Sequence, residues 1–375
     1  MKPIWENQMW ENHTLFFVFC AIALALVMGI SALIVSIRRQ EDVIAVRQKP
    51  RIGLMLYGGQ DEAGWNQQHA EGVKQAARRV GVDVDIIDHV TFEQAPAEEA
   101  LSRLSAEDGG HDFAIATSAD FAAAAEALHA GGSRMDIALP KLDEAGKSCV
   151  PYFVRLYQGE YLAGILAGLT TQTGRIGYVA STRNPEVCRS VNAFLLGAQE
   201  TRPDVRVLVK FAGRWSNPDA ERQAAAELIE ERCDILNSHQ DTMAVQAYAD
   251  AHGVMYIDYL EPYATASSRS LATVECHWDM VYEAMFRDYL RGRFRSMYWI
   301  GIEDNAVGLS GFSQRVSDEA RVRVMVEEQR LRENGSVFSG PIYDTDGVLR
   351  VAEGETLSDA ALIHLDWYAE GVEFL

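Results

Sequence analysis

The stretch RIGLMLYGGQDEAGWNQQHAEG, residues 51–72, decides the architecture. Its opening run is almost wholly apolar, which suits a strand buried on both faces. Glycines at 58, 59 and 64 punctuate a turn, and the spacing predicts a helix over 65–80. A strand answered at once by a helix is the first half of a βαβ unit, and the pattern repeats. VDVDIID leads to a helix after Pro96, and DFAIATS leads to FAAAAEALHA. The alternation restarts after Tyr152 with a helix through GEYLAGILAGL. The strands RIGYVAS, VRVLVKF, CDILNS and VMYIDY follow, separated by helices expected from Pro185, Asn217 and Asp241. Such alternation calls for parallel sheets covered on both faces, here as two doubly wound α/β units in tandem.

A chain of 375 residues, 48% hydrophobic, fits two lobes of ordinary size. Its formal charge of -20 opposes broad contact with nucleic acid or an anionic leaflet, because phosphates are repelled. The five cysteines (Cys20, Cys149, Cys188, Cys233, Cys276) show no C-x-x-C pair or zinc spacing. They read as buried thiols, with a Cys149–Cys276 bridge left open. LFFVFCAIALALVMGISALIVSI, residues 15–37, carries no charge and is long enough to span a bilayer. Glu6 and Glu11 precede it and no small-x-small exit follows, so it reads as a retained anchor rather than a cleaved signal. A flank (1–14) and a polar tether (38–50) border it. Arg38 and Arg39 alone favour a cytoplasmic large domain, a bias that long domains cross regardless.

In doubly wound sheets ligands bind beyond the carboxyl ends of strands. The loops to weigh are therefore 58–69, 117–121, 181–192, 213–218, 237–242 and 258–259. None holds G-x-S-x-G, H-E-x-x-H, a P-loop or G-x-G-x-x-G, and the acids of GGQDEAG would repel a phosphate. No metal, cofactor or catalytic set is expected, and binding is favoured over enzymatic turnover.

GWNQQHAEG (64–72), GEYLAGILAGLTTQTGRIGYVAS (159–181), PEVCRSVNAFLLGA (185–198), RWSNPDAERQAA (214–225), SHQDT (238–242), YWIGIED (298–304) and the closing segment 339–372 occur in order. In these motifs the chain resembles the basic membrane protein family, the PnrA-like substrate-binding proteins of ABC transporters. The resemblance runs from about residue 51 to the end. It implies a type I periplasmic binding protein fold: two Rossmann-like lobes joined by crossing strands, closing on a ligand. Lobe 1 is expected over 51–155 and lobe 2 over 156–275, with 276–375 returning to lobe 1 and completing both. The chain departs from the family at Cys20, which sits mid-span without a lipobox. It departs also at EAG before Trp65, and at WDMVY (278–282).

The resemblance and the loop positions nominate a site, each residue having a plainer structural role beside it. Trp65 and Trp215, on loops of different lobes, can sandwich a flat heterocycle or pack in the core. Phe121 offers an apolar wall or a core ring. Asn66 presents the complement of a purine edge or caps its helix. His69, one turn on, lines the cleft or sits satisfied in the interior. Asp120 accepts from a ring N–H or amine, or caps a helix. Arg189 and Asn192 share a helix face and reach a ligand or solvent. His239 and Asp241 end a strand; the carboxylate can take two ribose hydroxyls or act as a cap. Asp258, with Tyr259 beside it, serves hinge or site.

The expectation is a membrane-anchored, extracytoplasmic protein that captures a purine nucleoside or nucleobase for an ABC permease and ATPase. A ligand-sensing membrane protein using the same cleft is the alternative. A nucleoside hydrolase or phosphorylase is the weakest reading, for want of an acid, base and phosphate set.

Overall fold

The computed structural model describes residues 50–375 except 63, 106–109, 145–148, 261–266 and 335. The expected flank, membrane segment and all but the last residue of the tether lie outside the described residues. Among the described residues no helix is long and apolar enough to cross a membrane.

The first elements are β1 (Arg51–Met55), α1 (Trp65–Val80), β2 (Asp83–Ile87), α2 (Gln94–Ser105), β3 (Phe113–Ala116), α3 (Ala122–Ala130), β4 (Asp136–Leu139) and β5 (Val150–Val154). Next come α4 (Leu156–Thr170), β6 (Arg175–Ala180), α5 (Pro185–Thr201), β7 (Arg206–Phe211), α6 (Pro218–Glu230), β8 (Ile235–His239), α7 (Ala244–Ala251), β9 (Met255–Tyr259) and β10 (Ser270–Cys276). The chain closes with α8 (Trp278–Leu290), β11 (Tyr298–Ile300), β12 (Val307–Ser310), α9 (Asp318–Asn334), β13 (Ile342–Tyr343), β14 (Leu349–Val351), α10 (Asp359–Ile363) and β15 (Val372–Phe374).

Two sheets result. The first, in order β11-β5-β4-β3-β1-β2, is parallel throughout. The second, β12-β10-β9-β8-β6-β7-β15, is parallel except that β12 runs against β10. Each is doubly wound: strand order reverses between β1 and β3 in the first sheet and between β6 and β8 in the second. The chain passes between the sheets three times, from β5 through α4 to β6, from β10 through α8 to β11, and from β11 to β12.

Local chemistry explains the elements. β3 and β6 are buried nearly throughout, as strands covered on both faces must be. Asn184 and Asn217 cap α5 and α6 by accepting from the N–H of Val187 and Ala220, each with proline at the first helical turn. The helix α4 is buried on every side, and its glycines let α5 approach. A Cβ on Gly164 would stand 2.0 Å from the Phe194 carbonyl oxygen, and one on Gly197 equally close to that of Tyr161. The helix α1 buries Asn66, His69, Ala70, Val73, Ala76 and Ala77 on one face and ends at Gly81, whose φ of 83° lies in the left-handed region.

Several expectations change. Helix α7 starts at Ala244 rather than Asp241, because Thr242 Oγ1 accepts from the Ala244 N–H and the Asp241 side chain is used elsewhere. Strands β4, β5 and β10 to β12 were not anticipated; each is short or lies beside the crossings. The Cys149–Cys276 bridge does not form: neither residue is in a disulfide, nor are Cys188 and Cys233. Cys20 lies outside the described residues.

Candidate functional site

The two reversals of strand order face each other. From the first sheet come Tyr57 after β1, Thr117 after β3, and the start of α1. From the second come Ser181 after β6 and His239 to Asp241 at the end of β8. Three contacts join them. The Tyr57 hydroxyl donates to Asp241 Oδ2 at 3.0 Å. Gly64 lies so near Asp241 that a Cβ there would sit 3.0 Å from its main-chain oxygen. Gln68 Nε2 donates to the Leu260 carbonyl at 2.6 Å, and Leu260 adopts a φ of 67° rarely seen in a branched residue.

The first-sheet wall is built on α1. Trp65 Nε1 donates to the Thr117 carbonyl at 2.9 Å, which fixes the indole across the β1–β3 junction. Its ring stacks near Phe153 and meets Trp278 edge-on at 5.2 Å. Asn66, fully buried, donates to Glu62, while its Oδ1 has no partner. Gly58 makes room for this pair, since a Cβ there would collide with both side chains. His69 is interior: its Nδ1 pairs with the Tyr282 hydroxyl, its ring lies 4.2 Å from Trp278, and burial pushes its pKa well down, keeping it neutral.

On the second-sheet wall, His239 is buried between Trp215 and Tyr259, with ring centroids 5.3 and 5.1 Å away. Glu186 Oε1 stands 3.2 Å from His239 Nε2 but off the hydrogen-bonding direction, so both ring nitrogens lack a hydrogen-bond partner. The Trp215 carbonyl accepts from the Asp241 N–H at 2.8 Å, which pins the indole loop over the end of β8. Burial raises the Asp241 carboxyl to about 7 against the hydrogen bond from Tyr57, with His239 lowering it and Glu186 and Glu221 raising it.

Buried polar atoms without protein partners gather at this seam. They include Asn66 Oδ1, Gln68 Oε1, Ser181 Oγ, the His239 ring nitrogens, and both side-chain polar atoms of Gln240. Such atoms are costly unless something binds them. No arginine or lysine joins Tyr57, Asn66, Ser181, Glu186, His239, Gln240 or Asp241 in a described ion pair or hydrogen bond at the seam. Cavities of about 230, 280 and 710 Å3 open elsewhere, beside α8, beside α10 and between α2 and α3, and do not belong to it. Among the described residues no three His, Cys, Asp or Glu side chains are grouped to hold a metal ion.

Of the residues named from sequence, Trp65, Asn66, Trp215, His239 and Asp241 meet at the seam, with His69 one layer beneath. The others go elsewhere. Phe121 is in the core behind β3, its ring 5.4 Å from Phe92, which in turn lies 5.2 Å from Tyr57. Asp120 is exposed in a turn capped by Ser118, whose hydroxyl it also accepts from. Arg189 donates to the Leu362 and Ile363 carbonyls at 2.8 and 3.3 Å, and Asn192 bridges the Trp367 carbonyl and the Ala369 N–H, each at 2.9 Å. Both are turned to the carboxyl-terminal segment. Asp258 is fully buried within β9 and accepts from Ser270 at 2.6 Å. Sequence reasoning did not single out Tyr57, Ser181, Glu186 or Gln240. Ser181, Glu186 and Gln240 fall in strand-end loops already marked, whereas Tyr57 is disguised as the last residue of an apolar run.

Residues 49–344 match the family described as ABC transporter substrate-binding protein, PnrA-like. A purine-binding protein of Brucella abortus is 27% identical over 335 residues, covering 87% of this chain and 93% of its own length. A Haloferax volcanii protein provisionally described as an ABC transporter glucose-binding protein is 33% identical over 227 residues, 59% of this chain and 55% of its own. Among solved structures, an ABC transporter solute-binding protein of Conexibacter woesei superposes with a TM-score of 0.62 at 17% identity, covering 76% of this chain and 97% of that one. The fold is thus that of the periplasmic binding proteins.

Proposed function

Because the chain belongs to the PnrA-like family of ABC transporter substrate-binding proteins, we propose that it captures a purine, as nucleobase or nucleoside, at the seam between its sheets. It then releases the purine to an ABC permease and its ATPase. The observation that carries this reading is the set of buried, unpartnered polar atoms at the two facing strand-order reversals, bordered by Trp65 and Trp215. Flat rings fit between indoles, and edge donors and acceptors fit Asn66, Gln240 and Ser181. The likeness to the Brucella purine-binding protein supports the ligand class. The halves act as lobes that turn about the three crossings, and a ligand favours closure by contacting both at once. The apolar segment 15–37 tethers the protein to the membrane, with the binding domain on the extracytoplasmic side.

Calorimetry on the full chain in detergent, with adenine, adenosine, hypoxanthine, inosine and glucose, tests it. Heat with a purine but not with glucose, reduced at least about tenfold in Trp65→Ala and Trp215→Ala, is the expected result. Binding of glucose alone would replace the purine reading.

A further inference from the structure

Resting on the purine reading, we infer that the ligand is taken as the free base, the place of a pentose being occupied by Tyr57. Asp241, just after β8, is the seam carboxylate that the sequence nominates for two ribose hydroxyls, yet its Oδ2 already accepts the Tyr57 phenol at 3.0 Å. Its main chain is also held on both sides. The main chain at Gly64 approaches so closely that even a methyl group would stand 3.0 Å from the Asp241 carbonyl. On its other side the Asp241 N–H is held by Trp215. A sugar that uses this carboxylate must therefore displace the phenol.

The exchange is unfavourable for Tyr57. Its ring leans on Phe92, which rests on the buried Phe121, so the hydroxyl is delivered to Asp241 by a packed series of three rings. Displacing it leaves a half-buried phenol without its acceptor, a cost the ribose hydroxyls only offset. A free base needs no such displacement. Its ring N–H and amino groups match the acceptors left over at the seam, Asn66 Oδ1 and Gln240 Oε1 among them. The same acceptor-rich lining, with no cation paired into it among the described residues, disfavours phosphorylated ligands.

The test compares base with matching nucleoside by calorimetry on the full-length chain in detergent: adenine against adenosine, and hypoxanthine against inosine. The base is expected to bind at least about tenfold more tightly than its nucleoside. Tyr57→Ala, which clears the space and frees Asp241, is expected to narrow that ratio to within about threefold. Tyr57→Phe keeps the ring and its packing, and is expected to preserve a preference for the base. Adenosine binding as tightly as adenine to the unaltered chain overturns this inference alone, as does a ratio unmoved in Tyr57→Ala while the variant remains folded by circular dichroism. Silence toward both members of each pair removes the purine reading itself, and this inference with it.

Discussion

Closure should depend on proton concentration through Asp241. With the halves together the carboxyl is raised to about 7, first by burial and then by Glu186 and Glu221, while Tyr57 and His239 oppose the rise. Parting the halves exposes it to water, where it returns toward the ordinary value of 3.8. A group whose pKa is higher in one state favours that state when protonated. The contribution is thus complete below about pH 4, declines as pH rises, and is gone above about pH 7. For a closed-state value of about 7, the closing equilibrium changes by about tenfold between pH 6 and pH 8, or about 1.4 kcal/mol. Where the open form dominates without ligand, the whole factor passes into affinity. Calorimetry with adenine at both pH values should show tighter binding at the lower one. In Asp241→Asn the difference should shrink. A flat profile in the unaltered chain, or an equal slope in the asparagine variant, would refute the reasoning.

Three further outcomes are expected. Gly164→Ala drives a methyl group into the α5 backbone at Phe194 and should cost about 1–3 kcal/mol or more, read as a lowered Tm. Asn192→Ala strips the Trp367 carbonyl and the Ala369 N–H of partners, at about 1–3 kcal/mol. Limited proteolysis should then cut near residue 367 while purine affinity stays unchanged, which separates tail anchoring from ligand contact. Tyr282→Phe leaves the His69 Nδ1 buried and unpaired, and should lower Tm with no shift in the pH dependence of binding.

The alternation of strand and helix was legible because a strand covered on both faces reads as an apolar run, and because asparagine and proline mark the starts of α5 and α6. Strands β11, β12 and β15 were not, since three or four residues carry too little pattern. At the seam, Trp65, Asn66, His239 and Asp241 could be named from their place after strands. Arg189 and Asn192 could not be oriented from sequence because a helix has several faces, and only the tertiary structure shows that theirs meets a segment about 170 residues later in the chain. Tyr57 was hidden for the opposite reason. It ends an apolar run, and nothing local reveals that its hydroxyl crosses to the other sheet.

The three passages of chain between the sheets bear on biogenesis. The first sheet lacks its edge until β11 is made, and the second lacks both edges until β12 and β15 are made. A nascent polypeptide emerging from the ribosome therefore exposes unfinished strand edges for most of its synthesis, when neighbouring copies can pair with them. Delivery across a membrane in an unfolded, chaperone-held form would suit such a topology, because nothing is gained by starting early. After assembly the same braiding is protective: a protease that severs one passage leaves the halves joined by two others.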